Sequence, residues 1–551
     1  MLIPYPYRFR RLQRLVAVAG LGIATAFSIA VCAHGQAVAA SGPPHPTEDR
    51  GRILLVLPFD NRTGQPSLEW IREAAAEILS SRFASAGFAP MRRDDRLYAL
   101  DHLGLPQGFQ PSRATALKLA QTLDADSIVV GSYRMDGGDL VAEARLVNVP
   151  HLRMSPPVTA VAKLSDMMTV FDSLAWKLTR QLDPALNISE QTFIAAGANM
   201  RLDAFEQYIR GITEPDQAER QRHLQQAVKL SPDFSSAWMA LGLTCYDDQQ
   251  YQQAADALAK VGHNDSDMLE AGFYRGLSLL FSGDYPKAEQ AFAGVARILP
   301  LAEVVNNQGV AVSRQGHDGS ALFRQAVTAD PNNADYRFNL AVSLKHRGDN
   351  AEASTQLAQC LRLRPNDTEA QTLQAAWKQP AAAPGAGSGE DAAADPLERI
   401  ARGFDAAAFR QAAQVVAEMD ETRLAALPPR ERALKLSAQA QGYLDRGLLL
   451  EAERLYQSAI AADGKVAEAH AGLAEVRQRS GDATDARKEA RAALAIDPSA
   501  QAYLVLGRLD LAAGDLSAAG TEAGQALKLD PTSRTAQELN RQIVAKMGQR
   551  K

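Results

Sequence analysis

The chain has 551 residues, 59 Lys and Arg against 64 Asp and Glu, and a net charge of −5. A hydrophobic fraction of 46% with 22% charged residues is that of folded domains and excludes bulk disorder. The acidic balance offers no broad positive field, which argues against nucleic acid as a partner.

Residues 1–40 read as a secretory leader. Arg8, Arg10, Arg11 and Arg14 form a basic start, Leu15 to Ala33 is uncharged, and Ala37-Val38-Ala39-Ala40 supplies small residues for a peptidase. The alternative is an uncleaved membrane anchor; the Gly, Ala, Thr and Ser content of the stretch favours cleavage. Removing the leader takes its four arginines and leaves a net charge of −9. The expected location is therefore periplasmic or secreted.

Residues 50–185 do not repeat and read as a small α/β domain. Arg52–Phe59 is a buried strand, and Asp60-Asn61-Arg62-Thr63-Gly64 is a turn. That turn ends a buried strand, so a small-molecule site is the competing reading there. A helix follows over 67–86, an extended stretch over 88–92, and a second helix over 112–123. Asp126–Arg134 and Asp139–Val149 are strands joined by a Gly137-Gly138 hairpin turn. A strand over 158–163 and a helix over 165–182 close the domain. The runs Val56-Leu57-Pro58-Phe59-Asp60-Asn61, Ala125–Tyr133 and Leu140–Val149 resemble the amino-terminal domain of the translocation protein TolB and CsgG-like curli-secretion lipoproteins. That resemblance implies protein contacts or assembly at a bacterial cell envelope.

Beyond residue 200 a punctuation mark recurs near every 34 residues. Pro232, Pro300, Pro331 and Pro365 mark one array over 200–378; Gly464, Pro498 and Pro531 mark a second over 397–547. Between the marks, small residues and a large partner recur at fixed offsets, as in Leu241-Gly242 with Ala254 and Leu258, or Gly276 with Ala288 and Phe292. Small residues let two helices approach while a large one fills the groove beside them. In one unit the small crossing residue is Gly309 or Val310, depending on register. Gly283-Asp284, Gly348-Asp349, Gly481-Asp482 and Gly514-Asp515 fit the inter-helix turns, with Gly as left-handed cap and Asp as the next N-cap. The period, the Trp238-Met239-Ala240-Leu241-Gly242 run and the Ala502–Gly507 run resemble the tetratricopeptide-repeat family. The fold class expected is α+β multidomain: the α/β domain followed by two helical solenoids.

Residues 379–396 are a Pro/Ala/Gly connector that cannot bury a core, so the two arrays are expected to move independently. Residues 397–432 read as helical, a degenerate repeat, with Pro428-Pro429 starting the next helix. A capping helix is expected over 533–547.

No motif for chemistry is found. There is no Gly-x-Ser-x-Gly, His-Glu-x-x-His or Cys-x-x-Cys pattern, and the nine histidines are scattered. Neither an enzyme, a cofactor nor a metal is expected. Cys245 and Cys360 fall in repeat helices and read as buried thiols. In the resembling family the first helix of each repeat faces the concave side, which would place Met239, Leu243, Tyr246, Phe273, Leu277, Phe338 and Lys345 in a partner groove. Their alternative role is inter-repeat packing. Asn339 and Lys345 alone do not make a clamp for a peptide carboxylate. The function expected is an exported scaffold holding protein or peptide partners, with the α/β domain docking to an envelope component. The alternative is a sensor in which the α/β domain binds a small molecule and the repeats relay its state.

Overall fold

The computed structural model describes residues 53–106, 111–197, 200–262, 267–378, 396–404 and 419–549. The leader therefore lies outside the described residues, as do 379–395 of the connector. Among the described residues, no helix is long and apolar enough to cross a membrane.

The α/β domain is built on one mixed sheet of β1 (Ile53–Val56), β2 (Asp60–Asn61), β3 (Ala89–Pro90), β4 (Ser127–Asp136), β5 (Asp139–Asn148), β6 (Arg153–Met154) and β7 (Val158–Lys163). Strands run in the order β3-β1-β4-β5-β6, with β2 on β4 and β7 on β5. The β1 pairings to β3 and β4 are parallel, whereas β4, β5 and β7 pair antiparallel. Helices Ile71–Ser85 and Met167–Leu182 bury Phe83, Phe171 and Leu174 with Phe59 and Val129 in one core. Gly131 is needed at the centre of β4, since a Cβ there would overlap the Phe59 ring. The long strands and flanking helices follow the sequence expectation, but Asp60–Asn61, read as part of a turn, pairs with β4, and β6 was not expected. The helix Arg93–His102 was not anticipated; it begins with Asp94 and Asp95 in its first turn, favourable at a helix N-terminus.

The rest of the chain is paired antiparallel helices. In the first array they run from Leu202–Thr213 to Thr368–Lys378, and in the second from Pro429–Asp445 to Arg534–Gln549. The prolines fall between helices, as their missing N–H requires. Gly283, Gly348, Gly481 and Gly514 all take positive φ. Asp284, Asp482 and Asp515 accept the expected N-cap bonds, but Asp349 makes none. Its carboxylate instead pairs with Arg347. The ambiguous crossing residue is Gly309: a Cβ there would lie 2.8 Å from the Phe323 ring. Cys245 and Cys360 are buried and unpaired, and burial pushes the Cys360 thiol up to about 11.

The α/β domain does not close its own core. Phe205, Ile209, Leu224, Leu241 and Ala254 of the first array share one apolar cluster with Leu54, Phe59 and Phe171. Leu450 of the second array joins the same cluster. The second array is also held by polar contacts to residues 187–192. Ser189 N–H donates to Glu453 Oε1 at 3.0 Å, and the Arg477 guanidinium donates to the Asn187 carbonyl at 3.3 Å. The expectation of independently moving arrays is thus corrected: the second array is seated on the segment that follows helix Met167–Leu182.

Candidate functional site

Residues 397–404 depart from the helix expected over 397–432, of which 405–418 lie outside the described residues. Nine residues, Pro396 to Phe404, cross the first array without helical structure and seat on the face made by the first helices of its repeats. The cause is a set of asparagines that takes the backbone groups a helix would use for itself.

Asn339, on Ala334–Arg347, donates Nδ2–H to the Arg399 carbonyl at 2.7 Å and accepts the Arg399 N–H on Oδ1 at 2.6 Å. Asn307, on Ala302–Arg314, repeats the pattern two residues on, donating to the Ala401 carbonyl at 2.7 Å and accepting the Ala401 N–H at 2.9 Å. Asn306 adds a bond to the Arg399 carbonyl at 3.1 Å, and its Oδ1 accepts from Asn339 at 2.8 Å. Residues i and i+2 of an extended chain present their polar groups to the same side, so the pairing reads backbone as a neighbouring strand would. All three asparagines are fully buried. A buried amide needs partners, and the segment provides them. A one- or two-turn helix is marginal on its own, so this ladder outweighs it.

Side chains of the segment fill distinct positions. The Arg399 guanidinium lies 3.7 Å from the Phe338 ring centroid. It bonds both oxygens of Asp367 at 2.6 and 2.8 Å, Asp335 at 2.9 Å and Glu369 at 2.7 Å. The Arg399 bonds hold Asp367 below its usual carboxylate range despite partial burial. Burial opposes charge on Arg399, but bonds to Asp367, Glu369 and Asp335 raise its pKa. Glu398 pairs with Arg314 at 2.9 Å. Phe404 is buried beside Phe273, centroids 5.3 Å apart, and Ile400 packs on the same cluster. Arg402 lies over the Phe281 ring at 5.3 Å.

Of the residues expected in the groove, Phe273 and Phe338 touch the segment, and Leu277 lies in the cluster that receives Phe404. Tyr246 stands one step away, in an aromatic group with Tyr251, Tyr274 and Phe281. Met239 and Leu243 pack between helices with Leu258 and Ala271. Lys345 bonds Asn350 at 2.7 Å and lies over the Trp377 ring. Sequence reasoning missed Asn306, Asn307, Asp335, Asp367 and Glu369. A signal was present: Phe273, Asn306 and Asn339 are spaced by 33, one repeat, and so occupy the same position of successive first helices.

Tetratricopeptide-repeat profiles match residues 216–268, 437–500 and 473–534, and a second one residues 317–376. The fold and these matches define a chain that carries tetratricopeptide repeats in both arrays. No curated protein sequence matches it. Solved structures to which it is similar include MamA of Desulfovibrio magneticus RS-1, at 20% identity over 30% of this chain and 99% of that one, with a TM-score of 0.28. Another is YrrB, described as a TPR protein with an unusual peptide-binding site, at 15% identity over 36% of this chain and 97% of that one, TM-score 0.27. A third is the C-terminal domain of LpoB from Escherichia coli, at 23% identity over 20% of this chain and 83% of that one, TM-score 0.19.

Proposed function

We propose that the protein is an exported, non-catalytic scaffold whose repeats hold protein partners, with the α/β domain docking to a cell-envelope component. The single observation behind the binding role is the groove of the first array, built to grip an extended backbone through buried asparagines. Export rests on the leader-like residues 1–40, and the envelope role on the TolB- and CsgG-like motifs of residues 56–61 and 125–149. The test is affinity purification of the full chain from envelope extract, followed by cross-link mapping. Cross-links from partners to first-helix residues of the repeats support the scaffold. Partners that cross-link only to residues 53–197 remove the repeats from the binding role. Export is checked separately: the mature protein should begin close after Ala40 and leave with the periplasmic fraction, whereas an intact Met1 in the cytosolic fraction refutes it.

One cavity favours the sensor as a second reading. About 370 Å³ between the α/β domain and the first array is lined by Arg72, Arg93, Arg96, Arg210 and His223 together with Glu69, Glu73 and Glu214. Glu69 pairs with Arg72, and Glu73 with Arg93 and Arg96, so the lining offers both signs of charge and suits a small polar molecule. A melting-temperature screen of the full chain against small polar metabolites would support this reading with a reproducible, saturable rise, and a flat screen would reject it.

A further inference from the structure

The scaffold reading leaves open what the first array holds, and the seated segment bears on that. We propose that this groove binds, in trans, an extended segment of a partner protein carrying an arginine and, five residues on, an aromatic side chain, and that residues 396–404 are an internal copy of that ligand closing the groove in cis. The inference rests on the scaffold reading and names its ligand.

Three features make the groove a built site rather than a resting place. The asparagines bond backbone, so any extended segment can satisfy them, and only two of their bonds run among themselves. Selection comes from the side-chain positions. Asp335, Asp367 and Glu369 form an acidic pocket over which Arg364 supplies the other cation, bonding Asp335 at 2.7 and 3.0 Å. The planar face of Phe338 and the paired oxygens of Asp367 fit a guanidinium, which stacks and bonds in a fork, better than an ammonium. Phe273 and Leu277 then receive an aromatic ring at the other end.

The cis occupant has the advantage of tethering. Seventeen residues separate Lys378 from Pro396, a length that gives an effective concentration on the order of millimolar. A second copy of the chain therefore competes poorly at ordinary concentrations. A partner segment wins only if it fits the same positions better, or if the internal copy is withdrawn.

The experiment uses a fluorescent nonapeptide of sequence Pro396–Phe404 and the full chain. The Arg399→Ala/Phe404→Ala variant, with its internal copy weakened, should bind the peptide at least tenfold more tightly than the unaltered chain. Adding Asn339→Ala to that variant should reverse the gain by at least tenfold, and replacing the peptide's arginine by lysine should weaken binding at least fivefold. No saturable binding to the weakened variant, equal binding to both chains, or indifference to Asn339→Ala overturns the inference. Should the double variant lose its helical circular dichroism, the unaltered chain still decides. Millimolar peptide must raise deuterium uptake across residues 396–404, and unchanged uptake overturns the inference. An unaltered chain that is a dimer dissociated by the peptide assigns the groove to a second copy and overturns the partner. If the peptide fails while partners still cross-link to the first array, this inference alone falls; failure of both removes the scaffold reading too.

Discussion

Asn339→Ala isolates the step on which the groove depends. The amide makes two bonds to the Arg399 backbone and one to Asn306, all between 2.6 and 2.8 Å. A net contribution of about 1 kcal/mol per bond gives about 2 kcal/mol lost from docking of the segment, or a roughly 30-fold larger open population. The third bond belongs to the array, so its loss falls on the repeat fold rather than on docking. Hydrogen exchange followed residue by residue separates the two. The Arg399 N–H loses its acceptor directly. The Ala401 N–H keeps its own, Asn307 Oδ1, yet should lose protection by the same roughly 30-fold because the segment opens as one unit. Amides inside Ala334–Arg347 should change far less. Loss at Arg399 with full protection retained at Ala401 would refute docking as a unit. Absence of protection at both residues in the unaltered chain would refute docking altogether.

Three further outcomes follow from contacts elsewhere. Arg477→Ala leaves Glu453 fully buried without its partner at 2.6 Å, which should cost about 3–5 kcal/mol and release the second array from residues 187–192. Limited proteolysis should then cut within 183–197, and an unchanged digestion pattern counts against that seating. Gly309→Val drives a side chain into the Phe323 ring and should cost about 1–3 kcal/mol in urea unfolding, whereas Gly294→Val, with no atom within 4 Å of its Cβ position, should cost much less. His470 donates to or accepts from Glu489 at 2.7 Å, and that bond raises the imidazole pKa above 6.5. A raised folded-state value means the stabilisation is full below pH 6.5 and fades as pH rises through the raised value. Glu489→Gln should flatten that decline in a stability series across neutral pH, with a loss below about 1 kcal/mol; a decline unchanged in the variant contradicts the assignment.

Much of the fold was legible because its signals are local. Period, proline placement, Gly-Asp turns and the alternating strands of the α/β domain each depend on residues near one another in sequence. The failures lie where a distant group decides. Residues 397–404 carry no local feature that forbids a helix; Asn339 and Asn307, 60 and 94 residues upstream of their partners, take their backbone bonds instead. The Arg399 pocket was illegible for the same reason, since Asp335 and Asp367 look like solvated turn residues until the segment arrives. Seating of the second array on Asn187 and Ser189 joins residues more than 260 apart. Phe273 and Phe338 were within reach because repeat register assigns a face without tertiary knowledge. The same register applied to Asn306 and Asn339 exposes the ladder.

The central claim is that the first array takes protein segments on its first-helix face. Photo-crosslinking in cells tests it most directly, with the reactive residue placed at Phe281, beside Arg402, or at Ile298, exposed on the second helix of its repeat. A cross-linked partner from position 281, stronger when Arg399→Ala loosens the internal segment and absent from position 298, is the predicted result. Products from 298 alone, or none from 281 with the segment loosened, would contradict it.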